Sequence, residues 1–199
     1  MARKDSPRGY DMSRRARQAE TTAERIRKAG WSRFSKRGYD EVSLAEVAEA
    51  AGVSVPTVRA HFASKERLFL AGYVVWGMAA IENREAARRA EPVAAVRSLL
   101  KDYERQGSVG LHLLAEEGRF PAVKEMTDGG RAYHRWWLGE VFADHLGGLA
   151  PATRRRRVAQ LFLATDMMSW KLLRIDLGLS PRQTEAAVLE NVSALTADR

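Results

Sequence analysis

The side chains that could do covalent or metal chemistry are dispersed along this chain. Its four histidines, His61, His112, His134 and His145, form no HExxH pair that would set two imidazoles on one helical face around zinc. There is no cysteine, which excludes disulfides, thiolate metal sites and a cysteine nucleophile. No P-loop, GxGxxG or GxSxG motif occurs, so phosphate-cradling loops and a serine elbow are missing too. Neither an enzyme nor a cofactor is expected. What is concentrated is recognition chemistry, in and just after SLAEVAEAAGVSVPTVRAHF, Ser43 to Phe62. Ser43, Ser54, Val55, Pro56, Thr57, Arg59, His61 and Lys65 are the candidate DNA-binding residues, among them hydroxyls and cations suited to phosphates and base edges.

These side chains need two short helices to present them. Ser43 and Glu46 form a capping box, and Leu44, Val47 and Ala48 share one helical face. Gly52 supplies a left-handed stop, Ser54 caps a second helix and Pro56 occupies its first turn. Val53 and Val58 point back at the first helix, so Val55, Pro56, Thr57, Arg59, Ala60 and His61 face outward. The pattern is that of a helix-turn-helix, whose second helix enters the major groove; an ordinary helical hairpin is the alternative. Upstream, Thr21 to Gly38 predicts a third helix with Ile26, Ala29, Trp31 and Phe34 on its packing side.

From Thr21 to Ala71 the order RGY, Ser43, AGVS, Thr57, His61-Phe62 and Ser64-Lys65-Glu66 resembles the N-terminal domain of the TetR family of transcriptional regulators. The resemblance implies an all-α protein, with an N-terminal three-helix helix-turn-helix domain and a C-terminal helical domain for ligand binding and dimerisation. It implies a homodimeric regulator, released by ligand as a repressor is, on a palindromic operator. Arg59 and His61 stand where relatives usually carry tyrosines, so the operator preference is this chain's own. Arg59 suits either a phosphate or a bidentate contact to guanine. A helical dimer that binds small molecules without an operator is the alternative function.

Charge is consistent with a DNA-facing end. Residues 1–67 hold 15 Lys and Arg against 9 Asp and Glu, and residues 68–199 hold 18 against 16. Residues 1–20, rich in arginine, are expected to be a basic, disordered arm; 21–67 form the DNA-binding domain and 68–199 the effector and dimerisation domain. The longest uncharged run, Leu68 to Ile81, is short of the ~20 residues that cross a bilayer, and the charged N-terminus has no signal-peptide core; a cytoplasmic location is expected.

Beyond residue 64 the turn signals separate helices expected at about 65–89, 92–117, 121–126, 131–145, 153–177 and 181–196. The last two are expected to form the homodimer interface, because the apolar residues after Val158 occupy two faces: Val158, Leu161, Phe162, Thr165 and Leu172 on one, Leu163, Met167, Trp170 and Leu173 on the other. The preceding helices are expected to enclose a small, mainly apolar or aromatic effector, with Trp76, Tyr103, His112, Trp136, Trp137, Asp166 and Trp170 as candidate contacts.

Overall fold

Side-chain caps at Ser43, Ser54, Ser64, Asp166 and Ser180 start five of the helices of this chain. The computed structural model describes residues 8–197, and all regular structure among the described residues is helical. It divides into two compact units, residues 1–75 and 76–199. That boundary is later than the one expected after residue 67.

The first unit holds α1 (Arg8–Arg37), α2 (Leu44–Ala51), α3 (Val55–Phe62) and the start of α4 (Lys65–Ala87). Helix α1 begins at Arg8, well before Thr21, so residues 8–20 are helical and not a disordered arm. Residues 1–7, the remainder of that expectation, lie outside the described residues. The core of this unit is Ile26, Phe34, Val42, Val47, Val58, Leu68, Phe69 and Tyr73, each 1% exposed or less. Burying each such side chain contributes about 1.5–3 kcal/mol. Phe34 meets Phe69 edge-on at 5.3 Å, and Trp31 meets Tyr73 edge-on at 5.2 Å. A Cβ at Gly72 would lie 3.0 Å from the Trp31 ring and press on it.

The second unit comprises the rest of α4, α5 (Pro92–Ala115), α6 (Pro121–Val141), α7 (Ala143–Leu146), α8 (Pro151–Thr165), α9 (Met167–Lys171), a π-helical turn (Leu172–Asp176) and α10 (Pro181–Thr196). Its core joins Val96, Leu99 and Tyr103 of α5 to Trp137, Leu138 and Val141 of α6, Leu161 of α8, Trp170 of α9 and Val188 and Val192 of α10. Gly107 and Gly110 bring α5 close to α9. A Cβ on either would stand 2.5 Å from Trp170 or Met167 respectively.

Two expected boundaries are corrected here. The predicted gap between helices 121–126 and 131–145 does not exist: α6 runs unbroken through Thr127, Asp128, Gly129 and Gly130. Ionic and hydroxyl bonds brace that stretch. Lys124 pairs with Asp128, Arg131 bonds Asp128 at 3.2 Å and Glu117 at 2.7 Å, and the Thr127 hydroxyl donates to Glu117 at 2.9 Å. Conversely, the helix expected over 153–177 breaks at Asp166, whose backbone is extended and whose carboxylate accepts from the Met168 N–H at 2.9 Å, capping α9. The break re-sorts the two apolar faces, placing Leu161, Thr165 and Trp170 in the core and leaving Leu163, Met168, Leu172, Ile175 and Leu177 at the surface. The final helix, with its Ser180–Gln183 capping box and Pro181, forms where expected.

Candidate nucleic-acid interface

In the first unit the local signals act as their chemistry requires. Ser43 Oγ accepts from the Glu46 N–H at 3.2 Å, and the Glu46 carboxylate accepts from the Ser43 N–H at 2.7 Å. Arg37 adds a second donor to Glu46 at 2.8 Å. The Ser43 amide foremost, then Arg37, hold this carboxyl down to about 2, so it stays ionised and α2 stays capped. Gly52 takes φ 62°, ψ 41°, and the Val53 N–H reaches back to the Ala48 carbonyl at 3.0 Å, closing the turn.

Helix α3 begins at Ser54, whose hydroxyl accepts from the Thr57 N–H at 3.3 Å and lies 2.8 Å from the Thr57 hydroxyl. One proton serves that hydroxyl pair, which leaves the other available to a phosphate oxygen. Val58 is buried beneath; Pro56, Arg59 and Ala60 are exposed, and Val55, Thr57 and His61 are half-buried around them. The outward face foreseen from spacing therefore forms, with a short apolar and hydroxylated start and a cationic end.

The α3–α4 junction carries features that spacing did not reveal. Ala63 has φ 55°, ψ −44°, and the Ser64 N–H bonds the Phe62 carbonyl across it: a γ-turn on a residue with a Cβ. The Ser64 hydroxyl then accepts from the Arg67 N–H at 3.1 Å in the first turn of α4. Lys65 is half-buried, its Nζ 4.2 Å from the Tyr39 ring centroid. Tyr39 was not among the candidates, and its only sequence signal is its place in the RGY landmark. A shallow groove of about 380 Å³, also missed, lies between Ser32, Arg33, Lys36 and Arg37 of α1 and Glu46 of α2.

The second unit gathers part of the expected effector set. Trp76 donates its indole N–H to Gln106 at 2.6 Å, and its ring edge approaches Gly110. Tyr103 is buried, 5.9 Å ring to ring from Trp170, and its hydroxyl donates to the Thr165 carbonyl at 3.2 Å. Burial pushes that phenol up to about 12, so it remains protonated. Trp170 donates to Glu104 at 2.8 Å. Trp76, Tyr103 and Trp170 thus share one neighbourhood with the Asp166 break. Asp166 serves as a helix cap. Trp137 is fully buried and donates to the Arg84 carbonyl at 3.0 Å, a packing role. Trp136, by contrast, is exposed, with the Arg88 guanidinium 5.5 Å from its ring, and does not face an interior site. The buried His112 Nδ1 has no hydrogen-bond partner.

His134 is the polar core residue that pattern reading left aside. The Thr165 hydroxyl donates to the Leu161 carbonyl at 2.8 Å and so must accept from His134 Nε2 at 3.0 Å. This fixes the neutral Nε2–H tautomer and leaves the buried Nδ1 without a partner. Burial, reinforced by the Arg84 charge, lowers this imidazole to about 3.

Comparison with known proteins agrees with this geometry. Residues 26–71 match the model of the bacterial regulatory proteins, tetR family. No curated protein matches the chain. Among solved structures, a transcriptional regulator from Rhodococcus sp. Rha1 superposes with a TM-score of 0.71 at 19% identity, covering 87% of this chain and 95% of its own. A transcriptional regulator from Saccharomonospora viridis, in complex with choline, gives 0.72 at 17% identity over 90% and 100%. A regulator of the TerR/AcrR family from Aquifex aeolicus VF5 gives 0.65 at 17% identity over 87% and 99%. At these identities the shared property is the fold.

Proposed function

We propose that this chain, whose residues 26–71 match the model of the bacterial regulatory proteins, tetR family, is a homodimeric, sequence-specific transcriptional repressor released from a palindromic operator by a small molecule. The observation that carries the DNA-binding part is the α2–Gly52–α3 arrangement, with Arg59 exposed on the second helix and Lys65 at the head of the next. One recognition helix reads only a few base pairs, and two of them about 34–36 Å apart meet successive major grooves. The uncovered apolar side chains Leu163, Met168, Leu172, Ile175 and Leu177 support a second copy as the partner.

For the effector, the neighbourhood of Trp76, Tyr103 and Trp170 supports a mainly apolar or aromatic ligand held by a few polar groups. An effector releases DNA only through its differential affinity for the two states, typically ~1–3 kcal/mol of coupling.

The test is selection of duplexes from random sequence, followed by footprinting on the parent genome. The expected result is a salt-dependent palindromic site. Lys65→Ala lowers the salt slope by about one unit if Lys65 contacts a phosphate. Arg59→Ala sorts its role: uniform loss across sequences marks a phosphate contact, and relaxed preference at one base pair marks base reading. No selected site at any salt would favour the helical dimer without an operator.

A further inference from the structure

We propose that Tyr39 is a positioning residue for DNA binding, its ring holding the Lys65 ammonium where α4 meets a backbone phosphate. This rests on the DNA-binding reading above. The Lys65 Nζ lies 4.2 Å from the Tyr39 ring centroid, well within the ~6 Å over which a cation is drawn to an aromatic face. The ring is itself immobilised. It stacks on Phe34 at 6.2 Å and takes Phe69 edge-on at 5.2 Å, and both of those side chains are buried in the core of the first unit. Gly38, at φ 80°, turns the chain out of α1 so that Tyr39 reaches this place.

The backbone end of Lys65 is fixed as well. The γ-turn at Ala63, followed by Ser64, separates the start of α4 from the end of α3 by these two residues, and the Ser64 hydroxyl caps the first turn that Lys65 opens. A lysine ordinarily loses much rotamer freedom when it is held at a phosphate. A ring beneath it reduces that loss in advance. Tyr39 thereby ties the loop after α1 to the cation that follows the recognition helix.

The experiment is a double-mutant cycle on affinity for a duplex selected from random sequence by the wild-type protein, using the full chain. Tyr39→Leu is expected to weaken binding by about two- to fivefold, the range of an exposed cation–π pair, and to change nothing further in the Lys65→Ala background. Tyr39→Phe, which keeps the ring, should bind as the wild type does. Because a leucine at this packed position risks the fold, Tyr39 is also replaced by a fluorinated phenylalanine, which keeps the shape and weakens the negative ring face; its loss should match in direction. Equal losses from Tyr39→Leu with and without Lys65, or full affinity with the fluorinated ring, would overturn the positioning role alone. Selection of no duplex by the wild type would overturn the DNA-binding reading and this proposal with it.

Discussion

At the scale of the residue, two side chains have measurable consequences. Ala63 occupies a conformation that glycine adopts at far lower cost, so Ala63→Gly should raise stability by about 1 kcal/mol in urea unfolding, the strain relieved outweighing glycine's extra freedom in the unfolded chain. His134 predicts a pH dependence of defined sign. The unfolded imidazole takes its proton near the ordinary 6.5, whereas the folded one resists until about 3. Its contribution is therefore complete above pH 6.5 and is lost as the pH falls from there toward 3, at up to ~1.4 kcal/mol per pH unit. Stability measured against pH should fall over that window in the wild type, and His134→Phe should flatten the fall. The capping serines were legible in the sequence because a cap is a local bond between residues three apart. Ala63 and the Lys65–Tyr39 pair were not: alanine carries no signal of positive φ, and the ring and the ammonium meet only after α1 and α4 have packed.

Among the helices, punctuation was legible where glycine, proline and a capping hydroxyl agreed, as at Gly52–Ser54 and Gly178–Pro181. It misled where one signal stood alone. The pair Gly129–Gly130 reads as a breaker, yet α6 passes through it, held by pairs of side chains three and four residues apart. Nothing lies within 4 Å of a Cβ added at Gly129. Gly129→Ala should then stabilise the protein by about 0.5–1 kcal/mol, read as a shift of the denaturant midpoint at constant slope. Asp166 is a candidate effector contact inside the helix expected over 153–177. Its carboxylate instead starts α9 after a break, where Tyr103 and His134 engage Thr165. Asp166→Ala should cost about 1 kcal/mol through loss of the cap.

For the whole molecule, the all-helical content followed from periodicity and turn spacing, patterns that repeat many times along the chain. The placement of single aromatic side chains did not, because apolar character alone does not distinguish Trp137 in the core from Trp136 at the surface. The proposed dimer yields a prediction at this scale. Leu172→Asp places a charge in the exposed apolar set around α8, α9 and the π-helical turn, and should shift the sedimentation coefficient toward the monomer while leaving the helical circular-dichroism spectrum unchanged.

Helix α4 also bears on how such a protein is taken apart. The boundary between the two compact units falls at Val75–Trp76, inside a helix running from Lys65 to Ala87. Severing the chain there would strip four carbonyls on one side and four amides on the other of their helical partners. The units are therefore not interchangeable cassettes at their own border. A chimera that joins the first unit to another protein's helical domain should carry the whole of α4 from one parent, with its seam in the turn before Pro92.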